Sequence, residues 1–275
     1  MSVDYLFKCT TNDAYVIKTL IELLHHTIKI ACFQITPVGI SLRMMDRNQQ
    51  LLIDCVLKAE NFSMFHFSTK VENQCINIGI NLSHFYRMLK SIKKRDSLSL
   101  YIQEDNINDL GIEILPKDHT RKTVSLIKIQ NIENLEIELP HTYCNNILVP
   151  SNEFSKMCKD MISISSTIRV RSKKYTIGFY SDVHSIFSRE VFLGNTNNGI
   201  PEDSEFIFED IFETEHISRV LKISGLHQNI NLYFEKDMPF LIHSKIGSVG
   251  YISLYLKSKK QIEEENYMSQ ASLNL

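Results

Sequence analysis

The sequence lacks the patterns that carry the commonest enzyme chemistries. It has no G-x-x-x-x-G-K-[S/T] phosphate loop, no G-x-G-x-x-G dinucleotide fingerprint and no serine in a nucleophile-elbow pattern. The segment "GNTNNG" at 194–199 has no lysine to reach a phosphate. His25 and His26 are adjacent, and neighbours on a helix point about 100° apart, so they do not converge on a metal. We therefore predict a protein that is not an enzyme, with no catalytic residues, no metal and no cofactor.

Paired cysteines and long apolar runs are missing as well. No C-x-x-C pair or nearby Cys/His ligand spacing occurs among Cys9, Cys32, Cys55, Cys75, Cys144 and Cys158. Nowhere do eighteen apolar residues follow one another, and the first residues show no basic region leading into an apolar one. We expect reduced, mostly buried thiols in a soluble cytosolic or nuclear protein with no membrane partner.

An excess of charge is absent too, since 30 Lys and Arg face 32 Asp and Glu, for a net charge of −2. Any nucleic-acid binding must then come from charge concentrated on one surface. The 275 residues are 43% hydrophobic, which is enough for one large core or two ordinary ones. Two domains are the better prediction.

A helical pattern occurs twice, as "SHFYRMLKSIKK" at 83–94 and "EHISRVLKISGL" at 215–226. An alternating strand pattern follows each copy, "DSLSLYIQED" at 96–105 and "QNINLYFEKD" at 228–237. This repetition predicts an internal duplication. The matched positions are His84/His216, Arg87/Arg219, Leu89/Leu221 and Lys90/Lys222.

Two further segments, "NDAYVIKTLIELLHH" at 12–26 and "PSNEFSKMCKDMIS" at 150–163, have the same apolar spacing. Short β-branched and aromatic runs separated by turns lie between the helices. We predict an α+β fold of two similar domains, each with two helices on antiparallel sheet. The predicted boundaries are 1–127, an extended connector at 128–144, 145–258, and a disordered tail at 259–275, with a long loop at 194–205.

Basic residues recur on one side of these helices. An apolar frame at 0, +3, +4 and +7 leaves positions +2 and +5 opposite the buried stripe. Those positions hold Arg87/Lys90, Lys156/Lys159 and Arg219/Lys222, with Lys94 extending the line. The first helix departs with Thr19 and Glu22, beside Lys18. Each helix alone could simply show a solvated face, whereas three matched pairs favour a shared surface that contacts phosphates without reading bases.

The chain resembles the proliferating cell nuclear antigen family of sliding clamps over 5–259. The carrying motifs are "GISLRMMD" at 39–46, "INLSHFYRMLK" at 80–90, "VPSNEFSKMCKDM" at 149–161 and "DMPFLIHSKIGSVGYISLYL" at 237–256. The resemblance implies a ring of three subunits with the helices lining the hole and the sheets outside. It also implies ring closure through residues 120–129 of one subunit and 183–193 of the next.

The resemblance further implies a pocket for partner peptides formed by Met45, Asp46, Leu52, Ile132, Pro239 and Tyr255. Three features depart from the family pattern: Lys257-Ser258-Lys259 replaces Ala-Pro-Lys, Gln49 replaces a histidine, and the connector has no glycine. Met45 and Leu52 could instead be ordinary core residues. Lys174 matches a lysine that the family modifies.

The leading hypothesis is a sliding clamp that encircles duplex DNA and tethers DNA polymerase and repair factors. Its expected partners are double-stranded DNA, DNA polymerase, a clamp loader, other peptide-motif proteins and two further copies of the chain. Its expected location is the nucleus, or the site of viral DNA replication if the source is a virus. The alternative is a monomeric or dimeric processivity factor of the same fold that holds DNA by charge alone.

Overall fold

The structure, a computed structural model, describes residues 4–118, 120–132, 136–141, 143–173, 175–183, 186–195 and 207–273. Lys174 and residues 196–205 of the predicted loop lie outside this range. The chain divides into two units. Unit 1 is Met1–Met44, Ile53–Ile137 and Lys245–Ile252, and unit 2 is Met45–Leu52, Glu138–Ser244 and Ser253–Leu275. Each unit thus takes a short segment from the opposite half of the sequence, which contiguous boundaries did not anticipate.

The first half of the chain forms two helices and nine strands among its described residues. The helices are α1 (Ala14–His25) and α2 (Leu82–Leu89). The strands are β1 (Tyr5–Thr11), β2 (Ile30–Thr36), β3 (Gly39–Met45), β4 (Leu51–Lys58), β5 (Met64–Phe67), β6 (Ile76–Asn81), β7 (Ser97–Gln103), β8 (Asn106–Leu115) and β9 (Thr123–Lys128). One sheet has the order β5-β1-β7-β8-β9, and β2 pairs antiparallel with both β3 and β6.

The β2–β3 turn requires a glycine at position 39. Gly39 has φ +150°, and a Cβ there would lie 2.1 Å from the Leu57 carbonyl oxygen. Only glycine permits this close approach between the turn and β4. Alternating side chains of β1, such as Phe7 and Cys9, are buried in the core of unit 1, as expected for a sheet covered on one face.

The second half contributes three helices: α3 (Ser151–Ile162), α4 (Thr214–Arg219) and α5 (Lys259–Leu273). Its strands are β10 (Asn145–Pro150), β11 (Thr167–Lys173), β12 (Thr176–Val183), β13 (Phe187–Gly194), β14 (Phe208–Glu213), β15 (Asn229–Phe234), β16 (Phe240–Ile246) and β17 (Gly250–Leu256). One sheet has the order β13-β12-β11-β14, and β15 pairs antiparallel with β10 and β16. The predicted α+β class with helices on antiparallel sheet is confirmed.

Two helices are shorter than the repeat predicted. α2 ends at Leu89, so Lys94 lies in the following turn, where the Asp96 carboxylate accepts the Lys93 backbone N–H at 2.8 Å. α4 ends at Arg219, and a 3₁₀ segment, Leu221–Gly225, carries Lys222. The matched residues therefore share positions in the sequence repeat without sharing one continuous helix.

Residues 259–273 form α5, which corrects the prediction of a disordered tail at 259–275. Its first turn has a reciprocal capping box. The Ser258 N–H donates to Gln261 Oε1 at 2.9 Å, and the Gln261 N–H donates to Ser258 Oγ at 3.3 Å. Ion pairs of Lys260 with Asp237 and of Lys257 with Glu265 add to it. Helix capping and ion pairs thus stabilise α5 although its sequence is polar.

Candidate nucleic-acid interface

α2 separates apolar from basic residues as its spacing predicts. Leu82, Phe85 and Leu89 are buried, whereas Arg87 and Lys90 are exposed. The helix begins after Asn81, whose side-chain oxygen accepts the His84 N–H at 3.1 Å and so caps one free donor of the first turn. The two cations therefore lie on the solvent side of a helix whose orientation is set by its buried side.

α3 repeats this arrangement in unit 2. Phe154 and Met161 are among its fully buried residues, while Lys156 and Lys159 are exposed. Lys156 Nζ lies 2.8 Å from Glu153 Oε1, one turn earlier on the same exposed side. Such an exposed pair is weak and screened by salt, so it leaves Lys156 able to exchange partners with a phosphate.

α1 differs from the predicted pattern. Thr19 is 7% exposed, and its hydroxyl donates to the Tyr15 carbonyl at 3.0 Å, so it does not occupy the outer position assigned to it. The outer line runs instead through Tyr15, Lys18 and Glu22. The buried stripe is wider than predicted because α1 also packs against α2, and it includes Ala14 and Leu23.

Lys18, in the first half of α1, bonds to the turn after α2. Its ammonium donates to the carbonyl oxygens of Lys90 and Ile92, both at 2.9 Å. Lys18 and Lys94 both lie near the Tyr15 ring, with Nζ 5.4 Å and 5.9 Å from its centroid. Two carbonyls and the Tyr15 ring thus stabilise the Lys18 ammonium, and the same ring lies near the Lys94 ammonium.

Arg219 of α4 is engaged within unit 2. Its Nη1 lies 3.1 Å from Asp46 Oδ2, and its Nη2 lies 2.7 Å from Glu215 Oε1. Hydrogen bonding to Arg219 lowers the pKa of Glu215. Asp46 is only 4% exposed, and its Oδ1 accepts the N–H groups of Gln50 and Leu51. Two carboxylates therefore offset the Arg219 charge, whereas Arg87 at the matching position has no carboxylate within 4.0 Å among the residues that the structure describes.

The two histidines of the repeat also differ. His84 is exposed, whereas His216 is 3% exposed and lies 3.5 Å from Glu213. Burial lowers the pKa of His216 by penalising the imidazolium, and the nearby Glu213 opposes that effect. His216 thus has the environment of a buried neutral imidazole, so it adds no charge to the basic side.

Most residues of the predicted peptide pocket belong to unit 2. Leu52 and Tyr255 are buried, and Met45 and Pro239 are half-buried. Sequence reasoning missed Tyr143, whose hydroxyl donates to the Pro239 carbonyl at 2.7 Å and whose ring centroid lies 6.4 Å from that of Tyr255. Burial raises the pKa of Tyr143, so its phenol keeps this proton. An aromatic residue within a polar connector was the signal that could have found it.

Ile132 is the member of the predicted pocket that belongs to unit 1. A Cβ on Gly79 would lie 2.6 Å from Ile132 Cδ1, and the backbones of Gly79 and Gln130 exchange hydrogen bonds of 2.9 and 2.8 Å. The start of the predicted connector is therefore pinned to β6. Asp46 stabilises the turn at 46–51 by accepting the N–H groups of Gln50 and Leu51, and its other oxygen accepts from Arg219 of α4.

Two family models match this chain. The model of the N-terminal domain of proliferating cell nuclear antigen matches residues 6–137, and that of the C-terminal domain matches residues 138–259. The chain belongs to the proliferating cell nuclear antigen family. It is also similar to "Probable DNA polymerase sliding clamp 1" of Paramecium bursaria Chlorella virus 1, with 24% identity over 258 residues, or 91% of this chain and 96% of the relative.

In this proliferating cell nuclear antigen family member, each domain model contains one copy of the repeated pattern, at 83–94 and at 215–226. The predicted duplication coincides with the two clamp domains. Membership places the chain among the sliding clamps of DNA replication, the processivity factors of DNA polymerase.

The next features are the possible metal ligands and the buried thiols in the part of the chain that the structure describes. No group of three or more His, Cys, Asp or Glu residues there could hold a metal ion. Burial raises the pKa of Cys9 to about 12 and also raises the pKa of Cys55 and Cys158, so these thiols stay protonated. No helix among the described residues is long and apolar enough to cross a membrane.

Proposed function

We propose that this chain is a sliding clamp in which three copies close a ring around duplex DNA and tether DNA polymerase and repair factors. The observation that carries the proposal is an outward basic pair at an amphipathic helix in each family-matched half: Arg87 on α2 with Lys90 at its C-terminal cap, and Lys156 and Lys159 on α3. A protein with a net charge of −2 that places cations at matched positions has a surface suited to a polyanion. The role is that of a scaffold and includes no catalytic step.

The grip on DNA is electrostatic. Lysine and arginine without stacking aromatics contact phosphates, so binding is independent of sequence, weak per contact and strongly dependent on salt. Lys18, Lys94 and Lys222 extend the surface, whereas Arg219 contributes less because two carboxylates engage it. A loose hold of this kind keeps the clamp mobile along the duplex.

Ring closure is proposed through β9 of one copy and β13 of the next. β9 is the last strand of its sheet and exposes Val124 and Leu126. β13 is the edge strand of its own sheet and exposes Phe187 and Phe192. An exposed edge with apolar side chains is a template for pairing with another strand, and pairing between copies would bury both.

Partner proteins, among them the polymerase and a clamp loader, are proposed to dock through peptides with aliphatic and aromatic side chains. Met45 and Pro239 are half-buried and offer apolar surface in unit 2, and Tyr143 fixes Pro239. Leu52 and Tyr255 are buried and would support that surface from below. The contribution of Ile132 stays a prediction, while Asp46 supports the turn beside Met45. We propose that the two clamp domains are residues 1–127 and 145–258 and that residues 128–144 connect them.

The site of action follows from the proposal. A replication clamp works in the nucleus or, for a virus, where viral DNA is copied. The similar chain from a Chlorella virus is named as a clamp, which supports both possibilities equally.

The oligomeric mass in solution tests the ring. Light scattering at micromolar concentration should give the mass of three chains, and cross-linking should trap a trimer. Monomer alone in both measurements would contradict ring closure. It would favour the alternative, a factor that holds DNA by charge alone, although such a protein is expected to carry a basic excess and this chain has a net charge of −2.

A further inference from the structure

The start of α5 is bonded to the turn 235–239, which leads into Pro239 of the predicted peptide pocket. The Nε2 of Gln261 donates to the Asp237 carbonyl oxygen at 3.2 Å, and Lys260 Nζ lies 3.1 Å from Asp237 Oδ1. Helix and turn both belong to unit 2. Two neighbouring side chains of α5 thus hold the backbone and the carboxylate of one turn residue.

Asp237 has a backbone conformation that needs such support. Its φ is +60°, in the left-handed region that residues other than glycine seldom adopt. Aspartate tolerates this region better than most residues, but the conformation persists only where neighbouring groups hold it. The Met238 N–H closes the turn by donating to the Glu235 carbonyl at 3.2 Å. The contacts from α5 therefore act on the residue that sets the direction of the chain towards Pro239.

Gln261 uses both ends of its side-chain amide. Its Oε1 accepts the Ser258 N–H at 2.9 Å, while its Nε2 donates to the Asp237 carbonyl. One partner is a donor and the other is an acceptor, so the amide fits in one orientation only. A glutamate could accept the first hydrogen bond, but it has no N–H for the second. The residue that caps α5 is thus also the one that holds the turn.

A further contact joins the same segment to the turn 46–51, which follows Met45. The Lys257 N–H donates to the Gln50 carbonyl at 3.0 Å. Lys257 lies two residues beyond the buried Tyr255. The segment that leaves Tyr255 is therefore bonded to both turns of the predicted pocket.

The described side chains further along α5 give the helix little burial. The helix passes beside β14, yet every residue from Glu263 to Met268 is exposed. Tyr267 and Met268 are 76% and 69% exposed. Side chains that stay in water add little hydrophobic stabilisation. The hydrogen bonds of α5 to the rest of unit 2 are concentrated at the turn 235–239, which points to a role at the pocket.

We propose that Gln261 is a positioning residue of the peptide pocket, through which α5 tightens the binding of peptides with one aliphatic and two aromatic side chains. Gln261 holds Asp237 in its left-handed conformation and so keeps Pro239 in place, without touching the peptide. When the turn relaxes, only a fraction of the molecules is competent to bind, and the apparent affinity falls by that fraction. The inference rests on the proposed peptide docking.

The test compares the variant Gln261→Glu with the wild type. Glutamate keeps an oxygen to cap α5, but it cannot donate to the Asp237 carbonyl. Asn266→Asp is the matched control, because it makes the same amide-to-carboxylate change at an exposed position of the same helix. The probes are fluorescein-labelled synthetic peptides that contain glutamine, one isoleucine and two adjacent phenylalanines. Fluorescence anisotropy should show binding about two- to tenfold weaker for Gln261→Glu, the range for one lost hydrogen bond, and unchanged binding for the control.

A second substitution separates positioning from a general loss of stability. Asp237→Gly, added to Gln261→Glu, should recover most of the wild-type affinity, because glycine takes a left-handed φ without strain. The substitution also removes the carboxylate that would face the new glutamate. A general loss of stability predicts no such recovery. Absence of recovery would contradict the role given to the conformation of Asp237.

Equal affinities of the wild type and Gln261→Glu would overturn the proposal. So would an equal loss in Asn266→Asp, since that result would assign the effect to charge on α5. A gain in affinity for Gln261→Glu would overturn it as well and would show that α5 covers the pocket.

The wild type separates this inference from the proposed function. If it binds none of the peptides, the proposed peptide docking fails, and the positioning role fails with it. If the wild type binds them and Gln261→Glu binds equally well, only the positioning role fails.

Discussion

Asp46 and Arg219 are 173 residues apart in the sequence and form an ion pair, with 3.1 Å between Oδ2 and Nη1. The other oxygen of Asp46 accepts the N–H groups of Gln50 and Leu51. One carboxylate thus fixes both a turn beside Met45 and a cation of α4. If the basic residues face DNA as proposed, this pair should make Arg219 contribute less than its matched residue, Arg87.

Replacing Asp46 with Ala should lower the free energy of unfolding by about 2 kcal/mol, because it leaves the N–H groups of Gln50 and Leu51 without their acceptor and Arg219 without one of its two carboxylates. Denaturant unfolding measures the loss. Glu215→Ala is the matched control, since it removes the exposed partner of the same arginine and should cost less. Equal losses in the two variants would contradict a structural role for Asp46.

The charge reversals Lys90→Glu and Lys222→Glu together should impair DNA-dependent processivity while leaving folding and assembly intact, because both side chains are exposed. The salt slope of DNA affinity should become shallower by about two. Lys58→Glu with Lys236→Glu makes the same charge change elsewhere and should preserve processivity. A collapse of stability in the first variant would show that these side chains do not point away from the core.

His216 should make stability depend on pH. Its folded-state pKa is lowered from 6.5, so below about pH 6.5 the unfolded chain binds a proton that the folded chain resists. The free energy of unfolding therefore falls as pH drops from 6.5 towards the folded-state pKa. The plot of unfolding free energy against pH should be flatter for His216→Gln across this window. The exposed-residue control, His84→Gln, should keep the slope of the wild type. Equal slopes for all three proteins would refute the burial effect.

Leu126→Asp should abolish assembly without unfolding the chain. The side chain is 55% exposed on β9, and a carboxylate within a paired edge would be buried without a partner. Light scattering should then give the monomer mass. Val38→Asp, which alters the 80% exposed residue of the β2–β3 turn, should leave the mass unchanged. An intact trimer of Leu126→Asp would place the interface elsewhere.

Local periodicity was enough to predict much of the fold and part of the basic surface. The segments "KIACFQIT" and "TIRVRS" are strands because their β-branched and apolar residues suit a pleated, half-buried surface. Arg87, Lys90, Lys156 and Lys159 are exposed because about 100° per residue places them opposite a buried stripe. These features depend on neighbours within one or two turns.

The features that the sequence did not predict depend on distant partners or on atomic detail. Thr19 is buried because α1 packs against α2, and Arg219 is held by a carboxylate from another part of the chain. α5 forms because the Ser258 and Gln261 side chains cap its first turn, which composition does not reveal.

Retention on circular and on linear DNA tests the clamp directly. After loading, the protein should stay on closed circular DNA in high salt and leave when one cut linearises the circle, because a ring slides off a free end while its phosphate contacts are screened. Equal loss from circular and linear DNA as salt rises would contradict encirclement and identify a factor held by charge alone.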